Sequence, residues 1–263
     1  WRKAAQSILT TDTCTKISST TVKVGSRVAR ISAFAKGAGM IQPNLATMLA
    51  FIYTDLAIPL PILRKLLKDA CDQSFNLITV DGDMSTNDTV FLSSTGVVTP
   101  QKKIRSYDDP NLSDFKDKLK KITLDLAKKI ILDGEGAKKF VTINVGGGLT
   151  RDSAKKVALS IANSSLVKTA IAGGDPNWGR IMMAIGKSGE KINNSKVKIH
   201  IGKILLVKNS EGVNNKKIKL VEKYMKGKEI NIDVDIGAGK AKSTIWTCDL
   251  TTGYVRINAD YKT

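Results

Sequence analysis

The order of hydrophobic periods along the chain constrains its fold more than any other feature. Period-two segments come first: Thr20-Thr-Val-Lys-Val-Gly25 and Val28-Ala-Arg-Ile-Ser-Ala-Phe-Ala35 read as short strands. Residues 47–53 form an apolar, buried run. Pro61 then opens an amphipathic helix that turns Ile62, Leu66, Leu67, Ala70, Cys71 and Phe75 towards a core. Thr89–Leu92 reads as a strand, and the polar stretch 99–114, with two prolines, as an exposed loop. A second helix over Phe115–Leu132 aligns Leu119, Ile122, Leu126 and Ile130 on one stripe. Val141-Thr-Ile-Asn-Val145 is a strand that ends in Gly146-Gly-Gly, and a third helix runs from Asp152 through Asn163. Asp175 followed by Pro176 predicts an N-cap and first helical residue, for a helix to about Ile185. From Lys196 onward the chain is mainly strands: 197–207, 229–237, 242–249 and 253–260. Strands, then helices, then strands predict an α+β fold, a layered helix/sheet sandwich rather than a doubly wound sheet.

Composition narrows the functional classes. A chain of 263 residues that is 42% hydrophobic can bury a sizeable core. No apolar run is long enough for a transmembrane helix, and the N-terminus lacks a signal-peptide core. Trp1 replaces a starting methionine and reads as an internal position, so a truncated N-terminus is expected. Cys14, Cys71 and Cys248 are odd in number and far apart, which predicts a reducing, cytoplasmic setting. With His200 as the single histidine, and that on an alternating strand, no metal site is expected. The net charge of +18 leaves a basic nucleic-acid-binding protein as the non-enzyme alternative. Against it, lysines outnumber arginines and are dispersed, few aromatics are present to stack bases, and no nucleic-acid motif is found. A dispersed positive field also attracts acidic metabolites.

One segment suggests chemistry. Lys36-Gly-Ala-Gly-Met-Ile-Gln-Pro-Asn-Leu-Ala46-Thr47 places a lysine and a glycine-rich turn before a small residue and a threonine. Two readings of it stand. It is a loop before a helix starting near Thr47, or it is a self-cleavage site. In the second reading, scission between Ala46 and Thr47 frees an α-amine of pKa about 8, which activates the Thr47 hydroxyl. Glu135 lies between Gly134 and Gly136, where its carboxylate has close access to a ligand amine; a solvated helix-end glutamate is the other reading. Asp81–Asp88 has a partial calcium-loop spacing but lacks the glycine and glutamate that such a loop requires.

The segment 36–49, with Phe75-Asn-Leu-Ile-Thr-Val-Asp-Gly-Asp-Met-Ser-Thr-Asn-Asp-Thr89, resembles the ornithine acetyltransferase family. So do Thr10-Thr-Asp-Thr13, Gly134-Glu-Gly-Ala137, Leu166-Val-Lys-Thr-Ala170, Asp175-Pro-Asn-Trp-Gly-Arg180 and Tyr254-Val-Arg-Ile-Asn-Ala-Asp-Tyr261, all in order. The resemblance implies a fold of the self-cleaving N-terminal-nucleophile type. It implies transfer of acetyl from N2-acetylornithine to glutamate through an acetyl-threonine enzyme. It requires no cofactor, with acetyl-CoA as a second acetyl donor in bifunctional members. Residues 1–46 would close an α chain and 47–263 would form a β chain, in an α2β2 assembly without nucleic acid or membrane. It assigns Thr47 as nucleophile, Ala46 as the other side of the cut, and Thr10, Lys36, Thr47, Glu135, Asn258 and Thr263 as substrate contacts. The oxyanion donors fall upstream of residue 1. Thr15 departs from a proline frequent in the family, and Gly174 from a bulkier residue. An N-terminal-nucleophile amidohydrolase or aminopeptidase is the alternative chemistry.

Overall fold

The computed structural model describes residues 1–42, 48–213 and 217–261. They form two compact units: Trp1–Ile78 with Asp83–Asp133, and Thr79–Gly82 with Gly134 onward.

The first unit holds a four-stranded sheet in the order β1-β2-β3-β4. It contains α1 (Arg2–Ser7), β1 (Lys16–Val24), β2 (Arg27–Lys36), β3 (Leu49–Leu56), α2 (Leu60–Asp72), β4 (Thr89–Val98) and α3 (Ser113–Leu132). The first two pairings are antiparallel; β3 and β4 run parallel, as a crossover through α2 requires. The stripe expected on the second helix is buried, with Leu119, Ile122, Leu126 and Ile130 all in the core beside Phe115. Each such side chain contributes about 1.5–3 kcal/mol by leaving water. α3 lies on β1 and β2. Trp1 stands edge-on to Phe34 and Tyr53.

Two expectations in this unit are corrected. The apolar run after residue 47 is the strand β3, with alternate residues buried, and no helix starts there. The stretch 99–114 is not simply an exposed loop: Ile104 and Leu112 are buried, and α3 already begins at Ser113.

The second unit holds a six-stranded sheet in the order β10-β5-β9-β6-β7-β8. Its elements are β5 (Phe140–Gly148), α4 (Arg151–Ala162), α5 (Ser165–Gly173), α6 (Trp178–Gly186), β6 (Lys198–Ile201), β7 (Ile204–Lys208), β8 (Glu211–Gly212), α7 (Ile218–Met225), β9 (Glu229–Asp235), β10 (Ala241–Cys248) and α8 (Thr252–Asp260). β5 and β9 are parallel and the other neighbours antiparallel. α4 lies on β5 and β10. Buried Lys168 ties α5 to the sheet, donating to Thr247 Oγ1 at 3.0 Å and to the Cys248 carbonyl. Burial holds its ammonium below the usual lysine range.

Three readings change here. The segment 197–207 is a hairpin, β6 and β7, turning at Gly202. The cap of α6 is Asn177, whose side chain accepts from Arg180 N–H; Asp175 instead accepts from the Asn177 amide, so Pro176 precedes the helix. The predicted strand over 253–260 is the helix α8, because Thr251 caps it by accepting from Gly253 N–H. His200 lies on a strand, β6, as its alternation predicts.

Candidate active site

Lys36 closes β2 and is almost fully buried. Its Nζ donates to Thr10 Oγ1 at 2.7 Å and lies 3.7 Å from Asp12 Oδ2. Two residues singled out by the sequence, far apart in the chain, are therefore brought together. An ammonium has three donors, and the Thr10 bond uses one.

Beneath this pair is a buried ionic network that sequence reasoning did not assign. Lys16, with 0% exposure, lies between Asp12 Oδ1 at 2.7 Å and Asp133 Oδ2 at 2.5 Å. Asp133 also accepts from Thr13 N–H at 3.0 Å and from the Thr13 hydroxyl. Asp12 accepts from Gly37 N–H at 2.6 Å. Burial alone would raise the Asp12 carboxyl, but the Gly37 amide and the charges of Lys16 and Lys36 outweigh it and hold Asp12 below the usual carboxylate range. Asp12 stands in the quoted Thr10–Thr13 motif, so a signal for it existed. The partner Asp133 had none.

The glycine turn has a physical reason. Gly37 adopts φ +148°, and a Cβ there would come 3.0 Å from the Ile41 side chain. β3 starts soon after, with Lys36 in register opposite Leu49. Met48 N–H donates to Asp88 Oδ1 at 2.7 Å, and its carbonyl accepts from Thr89 N–H at 3.1 Å. Burial pushes the Asp88 carboxyl up to about 6, against the pull of the Met48 N–H and Lys36. Asp88 shares a cavity of about 270 Å³ with Ile41, Met48, Cys71, Phe75 and Val90.

Ala46 and Thr47, the expected cut and nucleophile, lie outside the described residues, as does Thr263.

In the second unit Glu135 is buried and accepts from Asn258 Nδ2 at 2.7 Å. That is a second pair named from sequence and joined in space. The turn that carries Glu135 meets the start of α8. Thr251 Oγ1 donates to the Gly136 carbonyl at 2.7 Å, and a Cβ on Gly136 would come within 2.3 Å of Tyr254 N. The Tyr254 hydroxyl bonds Asp81 Oδ2 at 3.3 Å, which engages the first residue of the acidic loop.

Comparison with known proteins now bears on these residues. The ArgJ family model matches residues 2–263. The chain belongs to the ArgJ family. Arginine biosynthesis bifunctional proteins ArgJ from Brucella suis and Agrobacterium fabrum are each 45% identical over 264 residues, covering 100% of this chain and 64% of theirs. That from Ruegeria pomeroyi is 46% identical over 98% of this chain and 62% of its own. The chain thus spans under two thirds of the length of the curated ArgJ relatives it matches. The crystal structure of the arginine biosynthesis bifunctional protein ArgJ from Bacillus halodurans matches with a TM-score of 0.74 at 40% identity, over 80% of this chain and 98% of that one. The family resemblance and the α+β fold expected from sequence are both borne out. Among the described residues, no helix is long and apolar enough to cross a membrane.

Proposed function

We propose that the protein transfers acetyl from N2-acetylornithine to glutamate through an acetyl ester on Thr47, with acetyl-CoA as a second acetyl donor to glutamate and no bound cofactor. Scission between Ala46 and Thr47 would divide it into residues 1–46 and 47–263, within a soluble, cytoplasmic α2β2 assembly. The Thr47 hydroxyl attacks the acetyl carbonyl of the donor while the freed α-amine accepts its proton. The amide C–N bond breaks as that proton passes to the departing ornithine amine; the glutamate amine then attacks the ester, its proton passing through the α-amine to the Thr47 oxygen as the C–O bond breaks. The Lys36 ammonium and Thr10 would bind the substrate carboxylate. Glu135 would take up a substrate amine, and Asn258 and Thr263 are further substrate contacts that the resemblance implies.

The observation that carries this reading is the buried Lys36–Thr10 pair at the end of β2, in register with a strand that starts two residues after Thr47. Family membership supports acyl transfer over the amidohydrolase and nucleic-acid readings. A further support is the solved relative: four fifths of this chain covers nearly all of that one, and 47–263 makes up about that share of the sequence.

Intact mass of the full protein tests it. The expected result is two pieces split at Ala46/Thr47, with an added acetyl group on Thr47 after incubation with N2-acetylornithine. A Thr47→Ala protein that still turned over would defeat the assignment. Free acetate in place of acetylglutamate would point to the hydrolase.

A further inference from the structure

One carboxylate, that of Asp12, meets both members of the Lys36–Thr10 pair. Its side chain has 0% exposure while Thr10 is exposed, so a ligand arriving from solvent meets Thr10 and not Asp12. Asp12 Oδ2 accepts from the Thr10 N–H at 3.3 Å and faces the Lys36 ammonium at 3.7 Å. Oδ1 accepts from the N–H of Gly37, the residue after Lys36, at 2.6 Å, and from Lys16 Nζ at 2.7 Å. The main chain beside each member of the pair is thus tied to the same group. The separation from Lys36 is too long for a hydrogen bond. Asp12 therefore draws that ammonium by charge without using one of its N–H donors. Asp12 is itself fixed from behind, because Lys16 links it to Asp133 at the end of α3. Burial works against the Asp12 charge, but the Gly37 amide and the two lysines outweigh it, so Asp12 stands ionised. Without this carboxylate the Lys16 and Lys36 ammonium groups would repel each other in a setting where charges are weakly screened. The Lys36 stem is flexible enough to turn its head aside in response.

We propose that Asp12 is a positioning residue for the binding of the substrate carboxylate: by tying the main chain at Thr10 and Gly37 and drawing the Lys36 ammonium inward, it holds Lys36 and Thr10 where both can bind one carboxylate. The inference rests on the role proposed above for Lys36 and Thr10. It assigns Asp12 no substrate contact and no proton transfer. The substrate carboxylate keeps its charge throughout acetyl transfer, so its binding is uniform between ground and transition states. Misplacing Lys36 therefore raises KM and leaves kcat.

The test uses Asp12→Asn, Asp12→Glu, Lys36→Met and Thr13→Val in the full protein. N2-acetylornithine is the acetyl donor, and N-acetylputrescine, the same molecule without its carboxylate, is the competing ligand. Asparagine keeps one acceptor oxygen for the Gly37 N–H but turns an amide NH2 towards the Thr10 N–H and Lys36, donor against donor. A hydrogen bond to a charged group is worth about tenfold or more in affinity, so Asp12→Asn is expected to raise KM for the donor about tenfold or more, with kcat within about threefold. The inhibition constant of N-acetylputrescine is expected to stay within about twofold, because that ligand offers Lys36 no carboxylate. Asp12→Glu keeps the charge but moves it by one methylene, and is expected to show a smaller rise in KM with the same selectivity between ligands. Thr13→Val removes a hydroxyl bond to Asp133, and is expected to lower the melting temperature with KM unchanged. An Asp12→Asn protein with wild-type KM overturns the proposal. So does an equal loss for both ligands, or a rise in KM matched by Thr13→Val, since either marks a general loosening of the network. If Asp12→Asn does not fold, an Asp12→Glu protein with wild-type KM, or with equal losses for both ligands, overturns it. Lys36→Met with unchanged KM defeats the Lys36 reading and this inference together. Lys36→Met with raised KM, beside Asp12 variants with wild-type KM, defeats this inference alone.

Discussion

Lys16 touches no expected substrate position, yet it balances the charge beneath one. Replacing it with methionine leaves Asp12 and Asp133 facing each other's charge in a buried setting. Breaking a buried pair from one side costs about 3–5 kcal/mol, so Lys16→Met is expected to lower the melting temperature at pH 7–8 by several degrees or more. The pH dependence has a definite sign. Asp12 is held below its usual value in the fold, so its ionisation stabilises above about pH 4, and that contribution is lost as pH falls through the lowered folded value. The gap between wild type and Lys16→Met should therefore narrow in acid; thermal melts from pH 3 to 8 check this. Asp88 behaves oppositely. Burial raises it from 3.8 to about 6, so the stability of the protonated form is full below pH 3.8 and is lost as pH rises through about 6. Asp88→Asn should therefore melt higher than wild type at pH 7–8 and no higher below pH 4. At this scale the motifs single out Lys36, Thr10, Glu135 and Asn258, and the structure pairs them two by two. The network under them was not legible in the sequence, because Lys16 and Asp133 are 117 positions apart and no local pattern links them.

Periodicity found α2, α3, α4 and most strands, because each buries a face with a regular repeat. It failed at α8. Tyr254-Val-Arg-Ile alternates like a strand, and β-branched residues reinforce that impression. What decides the matter is Thr251 as a cap together with close backbone packing of the Gly134–Gly136 turn against the helix start, and only the folded chain brings these together. The same reasoning explains α6, where Asn177 rather than Asp175 reaches the free N–H of Arg180. A glycine substitution tests the α8 docking. Gly136 has φ +68°, and a Cβ there would overlap Tyr254 N at 2.3 Å. Gly136→Ala must displace either the turn or the helix, at a cost of about 1–3 kcal/mol for the forced shift and more for the strained φ. Since α8 carries Asn258 to Glu135, the expected outcome is a lower melting temperature and, on the proposed function, a raised KM for the acetyl donor. Glu135→Gln, which keeps the bond geometry without the charge, should raise KM while leaving the melting temperature nearly unchanged.

At the scale of the molecule, chain division and folding division need not coincide. The compact units part at Asp133/Gly134, with residues 79–82 belonging to the second, whereas the proposed scission falls between two strands of one sheet, β2 and β3. Those strands stay paired from Ile31 opposite Thr54 to Lys36 opposite Leu49, so cutting the connection between them removes no ladder bond within that register. This predicts that the two pieces remain associated after scission and separate only in denaturant; native mass against denatured mass checks it.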